Sequence, residues 1–368
     1  MNTYDFLSVG FTRCRYQHRF STRQLAGFAL VSLFMPLSQA ELSPYASLTV
    51  DSSQVLSGGL QRDFTSRVLF DGGVNYQHDK HSVFISYQAQ RGDIGSDSVG
   101  DIQAYSNIDE DNFSRWYEVY YQYDADQWYL RLGKTDANGE FAVNDYAANF
   151  INSSMGFSPT IVGFPTYPSP ALSMLAGIQI DDDLQLAAGV YAAQDYDDFA
   201  EQFYVAELRY QLNEHSLLKL GWWHDSNQYP LATSVDEQQA STSGYYLLLQ
   251  NNLPDTRWFG SQSSHWYGQL GYADEKISEI NWHFGTGIEF VSPFGRSEHS
   301  MGIGLSYVKL SPLLLEDATS ETAIEAFYSW PLHQNLLLKP DLQYIISPSG
   351  NPQINNALVF TLRLELSY

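Results

Sequence analysis

Cysteine is almost missing from this chain: the single thiol, Cys14, stands among the first residues. That excludes an intramolecular disulfide framework and a multi-thiolate metal site. Basic residues are also scarce, with 19 Lys and Arg against 42 Asp and Glu and a formal charge of -23, which argues against nucleic acid as a partner. Long apolar runs are missing too. After Ala40 no stretch approaches the ~20 consecutive apolar residues of a membrane-spanning helix. Yet the chain is 15% aromatic while its mean hydropathy is only -0.28, a pairing unusual in a soluble globule. It is expected where lipid-facing and water-facing residues alternate along strands and aromatics gather at both membrane interfaces.

The two ends carry what is present. Arg13, Arg15, Arg19 and Arg23 precede the apolar stretch Leu25 to Pro36, which leads to a small-residue Ser38-Gln39-Ala40 site. This is the order of a secretory signal peptide, and residues 1–40 are read as one. Cys14 lies before the apolar run and is not placed to anchor a lipid. At the other end Leu358, Phe360, Leu362, Leu364, Leu366 and Tyr368 fall on one side of an extended strand, with Val359, Thr361, Arg363, Glu365 and Ser367 on the other. A half-apolar last strand ending in an aromatic residue resembles the terminal signal by which outer-membrane barrels meet their insertion machinery.

Between the ends, strand-like runs recur every ~20 residues with turn residues between them. They fall at 44–51, 66–78, 82–91, 114–124, 126–134, 173–181, 183–192, 202–212, 215–224, 243–250, 265–273, 282–291, 299–309, 322–330, 335–346 and 356–368. The expected fold is all-β: a closed antiparallel transmembrane barrel of about 16 strands spanning residues 41–368, with short periplasmic turns and long outer loops. Segments 92–113, 135–172 and 225–242 are long, as outer loops should be. Segment 251–264 breaks the rule, because it should be a short turn; either a strand pair is hidden there or the turn is elaborated.

Alternation also assigns faces. Charged residues that would be costly in lipid, ~2–4 kcal/mol for Arg or Lys near the midplane, are expected to point inward. They are Arg67, Asp71, Glu118, Arg131, Glu207, Arg209, Lys219, Glu289, Glu325, Lys339, Asp341, Arg363 and Glu365. Trp116, Trp128, Trp222, Trp266, Trp282 and Trp330 are expected to anchor the interface belts, and Trp223 and Tyr129 to face the lumen. The histidines have no metal-ligand spacing, no G-x-S-x-G elbow is present, and neither cofactor nor enzymatic chemistry is expected.

Several segments resemble the carbohydrate-selective porin family of Gram-negative outer membranes, the OprB family. The strongest is Leu130-Arg131-Leu132-Gly133-Lys134-Thr135-Asp136-Ala137-Asn138, then Glu140-Phe141-Ala142, Phe150-Ile151-Asn152-Ser153-Ser154-Met155-Gly156-Phe157-Ser158-Pro159-Thr160 and Pro165-Thr166-Tyr167-Pro168. Leu338-Lys339-Pro340-Asp341-Leu342-Gln343-Tyr344-Ile345-Ile346, with Pro348 and Gly350, is a second match. Ser57-Gly58-Gly59-Leu60, Val99-Gly100-Asp101-Ile102-Gln103 and Tyr117-Glu118 are similar to weaker blocks.

The resemblance implies passive, sugar-preferring diffusion through a 16-stranded outer-membrane pore, with a general, non-selective porin as the alternative. Neutral sugars and outer-membrane lipid and lipopolysaccharide are the expected partners, and a homo-oligomer stays open. The pore-lining candidates are Arg67, Glu118, Arg131, Glu207, Arg209, Lys339, Asp341, Arg363 and Glu365, since donors and acceptors of both signs suit the hydroxyls of an uncharged sugar. Those charges could instead pair across neighbouring strands and hydrate the wall. Loop 135–172, rich in aromatics, is expected to fold into the barrel mouth with help from 92–113 and narrow it.

Overall fold

The computed structural model describes residues 40–193, 198–232, 239–254, 258–314 and 319–368. All of the expected signal peptide except Ala40 lies outside them. Sixteen strands form one closed antiparallel barrel. They are β1 (Ala40–Gly59), β2 (Phe64–His78), β3 (His81–Gly92), β4 (Phe113–Asp124), β5 (Trp128–Thr135), β6 (Ala171–Gln179), β7 (Leu184–Ala192) and β8 (Gln202–Asn213). The circuit continues through β9 (Ser216–Pro230), β10 (Gln239–Leu253), β11 (Ser263–Ala273), β12 (Ile280–Val291), β13 (Ser300–Leu310), β14 (Ser320–His333), β15 (Leu336–Ile346) and β16 (Asn355–Ser367). Every strand pairs with its neighbours in sequence, and β1 pairs with β16 through the register Asp51↔Arg363 and Ser47↔Ser367. Closure leaves no edge, which is how a sheet satisfies its backbone in hydrocarbon.

The faces follow the alternation. Trp116, Trp128, Trp222, Trp282 and Trp330 are exposed on the outer wall. Arg67, Arg131, Glu207, Lys219, Glu289, Glu325, Lys339, Asp341 and Arg363 are buried on the inner one. Three charged strand residues face outward, Arg91, Lys134 and Lys309. Each is the penultimate residue of its strand at the outer rim, where a long side chain reaches water.

One end of the barrel is closed by tight turns, such as Asp79-Lys80 between His78 and His81, where Asp79 takes φ 55. Asp tolerates that left-handed conformation better than most residues. The ambiguity at 251–264 resolves as an elaborated turn. β10 runs to Leu253, β11 starts at Ser263, and Trp258–Gly260 makes a single 3-10 turn between them. The neighbouring connection 292–299 is elaborated too, and Phe259 of one packs on Phe294 of the other with ring centroids 6.1 Å apart.

Candidate pore and its two inward loops

The longest connection, 136–170, does not rise from the rim; it turns into the barrel. Its start is prepared by a register shift where β3 meets β4, between Ile85 and Tyr87, which brings Tyr117 and Glu118 to the inside as consecutive residues. The Tyr117 hydroxyl donates to the Asp136 carboxylate, and Glu118 Oε1 accepts from the Asp136 backbone N–H at 3.1 Å. Gly133, within the family-like block, takes φ 136, and a side chain there would run into the Val119 carbonyl of the neighbouring strand. Glycine is required by that close approach.

Past Asp136 the loop meets the wall strand by strand. Glu140 sits between two guanidiniums, 3.0 Å from Arg209 and 3.4 Å from Arg131, and accepts from the Tyr129 hydroxyl at 2.6 Å. Burial pushes its carboxyl pKa upward, but the Arg209 and Arg131 charges outweigh that and hold it below its ordinary value. Glu207 accepts the Ala142 N–H at 2.9 Å, and Lys219 bonds the Val143 carbonyl at 2.7 Å and Asp145 at 3.2 Å. Farther round, Asn149 donates to Glu289 at 2.6 Å. The Ile151 and Asn152 N–H groups donate to the two oxygens of Glu325 at 2.6 and 3.0 Å. The loop aromatics fill the space between: Phe141 and Phe150 are fully buried, the latter edge-on to Tyr267 and Phe327.

The second connection, 93–112, occupies the opposite side. Asp109 pairs with Arg67 at 2.8 Å, Ser106 donates to Asp51 at 2.6 Å, and Arg363 donates to Asn107 at 2.7 Å. The Ile102 and Gln103 N–H groups donate to Glu321 at 2.9 and 3.1 Å. Asp101 is buried nearby; burial first, and the Glu321 carboxylate second, push its pKa up to about 8. The loops join in the lumen, where Asn107 N–H donates to the Ile151 carbonyl at 2.6 Å and Ser153 N–H to the Ala104 carbonyl at 3.0 Å.

All nine lumen candidates therefore point inward, but they differ in what covers them. Arg67, Glu207, Lys339, Asp341 and Arg363 are each at most 3% exposed. Arg209, Glu118 and Glu365 keep partial access to the lumen. Pairing across neighbouring strands holds for Lys339–Glu365 at 3.3 Å and Arg363–Asp51 at 2.7 Å. Arg67, Arg131, Arg209 and Glu207 bond the loops instead. Trp223 and Tyr129 do face inward, yet Trp223 is fully buried, stacked on Phe203, and Tyr129 is 2% exposed. Neither offers a ring face to the lumen. Sequence reasoning missed Glu140 and Glu321 as anchors. Glu140 stood inside the family-like block, whereas nothing in a linear pattern marks Glu321 as the partner of residues 102 and 103.

The family model for the carbohydrate-selective porin, OprB family, matches residues 82–198 and 192–368. No curated protein sequence matches this chain. Among solved structures, the high-pH structure of Pseudomonas putida OprB superposes with a TM-score of 0.78 at 14% identity, covering 89% of this chain and 94% of that one. The outer membrane channel DcaP of Acinetobacter baumannii gives a TM-score of 0.59 at 9% identity over 91% of this chain and 99% of that one. The structures share the fold, and the family match extends over most of the sequence. This chain belongs to the OprB family of carbohydrate-selective porins and is a sugar-preferring, non-enzymatic channel of the outer membrane.

Proposed function

We propose that the two inward loops form the eyelet and that inward charges of this protein have two separate jobs. The buried set, Arg67, Glu207, Lys339, Asp341 and Arg363, with Arg131, fixes the loops and the wall. The partly accessible set, Arg209, Glu118 and Glu365, meets the sugar together with the loop carboxylates Glu140 and Asp145. The observation that carries this reading is the Arg131–Glu140–Arg209–Glu207 cluster, which sets acceptors and donors side by side with Arg209 18% and Glu140 11% exposed. A neutral sugar needs both partners, and conduction needs each contact to be weak enough to release.

The exposed Tyr368, just past β16, suits contact with the insertion machinery, and the outer-rim cations Arg91, Lys134 and Lys309 suit lipopolysaccharide phosphate. Residues 1–40 act as the export signal. Liposome swelling with refolded protein tests the selective eyelet, using glucose, maltose, an amino acid and a similarly sized anion. Sugars should enter faster than size-matched solutes. Swelling ordered by size alone would make the pore a general one.

A further inference from the structure

A sugar ring has an apolar face as well as hydroxyls, and none of the charges above addresses that face. Among the loop aromatics one ring can. Phe141 and Phe150 are fully buried, Tyr167 packs edge-on to Phe113, and Phe157 and Phe164 pack on each other beside an apolar cluster. Tyr146 is different. It is half-buried: part of its ring packs against the Ala147, Phe150, Met155, Tyr267 and Phe327 cluster, and its hydroxyl has no hydrogen bond among the described residues. Its ring lies parallel to His265, with centroids 4.5 Å apart and planes 11° from each other.

His265 is the third residue of β11, faces inward near the periplasmic end, and keeps 27% of its side chain exposed. Around this pair stand Asp145, 32% exposed and bonded to Lys219, and Glu289, which accepts from Asn149 at 2.6 Å and lies 4.0 Å from His265 Nδ1. The arrangement is an aromatic plate, stiffened from behind by a second ring and edged by carboxylates, an ammonium and an amide. Stacking limits the ring's freedom before any solute arrives, so little ordering is lost on contact.

We propose that Tyr146, backed by His265, is the surface on which the sugar ring stacks at the periplasmic face of the eyelet. It sets a preference for cyclic sugars over open-chain polyols of the same size. The inference rests on the sugar-selective reading above and adds the residue that reads the ring. His265 acts as a positioning residue.

The test compares glucose with sorbitol, which carries the same kind of hydroxyls on a similar skeleton but has no ring face. Half-blocking concentrations for ion current through single channels in planar bilayers are measured for each. In the parent protein glucose should block at lower concentration than sorbitol. Tyr146→Ala should raise the glucose value by about fivefold, the scale of one aromatic contact, and leave the sorbitol value in place. Tyr146→Phe should keep the parent's discrimination, and His265→Ala should lose part of it. Ion current in the absence of solute shows directly that each variant is folded and open. If Tyr146→Ala retains the glucose preference, or shifts both solutes equally, the assignment of Tyr146 is overturned while the selective eyelet stands. If the parent channel itself does not distinguish the two solutes, there is no ring preference and this inference is overturned, while the sugar selectivity read by swelling against an amino acid and an anion stands or falls on its own.

Discussion

Replacing Glu140 by Ala removes the carboxylate that two arginines share. Three donors point at it: the Tyr129 hydroxyl at 2.6 Å, Arg209 at 3.0 Å and Arg131 at 3.4 Å. Hydrogen bonds to charged groups contribute roughly 1.5–3 kcal/mol each, and breaking a buried ion pair costs roughly 3–5 kcal/mol. Here Arg209 would keep Glu207 at 2.7 Å and the residue-140 carbonyl at 2.5 Å, so the lower end applies. A loss of about 3 kcal/mol raises the population of a detached loop start by roughly a hundredfold. Because the strand ladders are untouched, the barrel's heat resistance should stay near the parent's.

The assay is single-channel recording. Mean conductance should rise and the open level should become noisier, with Glu140→Gln intermediate because the amide oxygen still accepts. The pH dependence has a definite sign. The folded carboxyl is held below its ordinary value, so the contribution is complete above the ordinary carboxylate range and disappears as pH falls through the depressed value. The difference in conductance between parent and Glu140→Ala should therefore be constant from about pH 5 to about pH 8 and shrink only in stronger acid. Unchanged conductance and noise in a folded Glu140→Ala barrel would refute the claim that this carboxylate holds the loop.

Deleting residues 139–165 should raise conductance more than any point change, because it removes the loop contacts to Glu207, Lys219, Glu289 and Glu325 together. Single-channel recording reads it. Arg363→Ala strips the buried Asp51 of its bidentate partner, 2.7 and 2.8 Å away, at the β1–β16 seam, and should destabilise the barrel by roughly 3–5 kcal/mol. Heating samples before unboiled gel electrophoresis should show earlier loss of the folded band. Asp101 has its pKa raised to about 8, so ionising it opposes the fold, and its contribution worsens as pH rises from the ordinary carboxylate range through that value. Asp101→Asn should flatten the fall in unfolding temperature between about pH 5 and about pH 9; an equal fall in both proteins would place the cause elsewhere.

Much of this molecule is legible along the chain because a barrel's main constraint is local. Hydrocarbon on one face and water on the other force a period of two, so the sixteen strands and the inward direction of residues such as Arg131, Glu207 and Lys339 can be read by counting. The lumen is different, because its contacts are not periodic. Glu325 meets Ile151 and Asn152, and Glu321 meets Ile102 and Gln103, across more than 170 residues. Trp223 has the right phase for a lumen ring but lies sealed under the loop, whereas Tyr146, in a segment without alternation, keeps access. Sequence determined the barrel and which side chains enter it, since lipid penalises each misplaced charge separately. Tertiary structure decided which of those side chains hold the loops and which remain open to a solute, since that depends on where two long, non-repeating segments come to rest inside the closed wall.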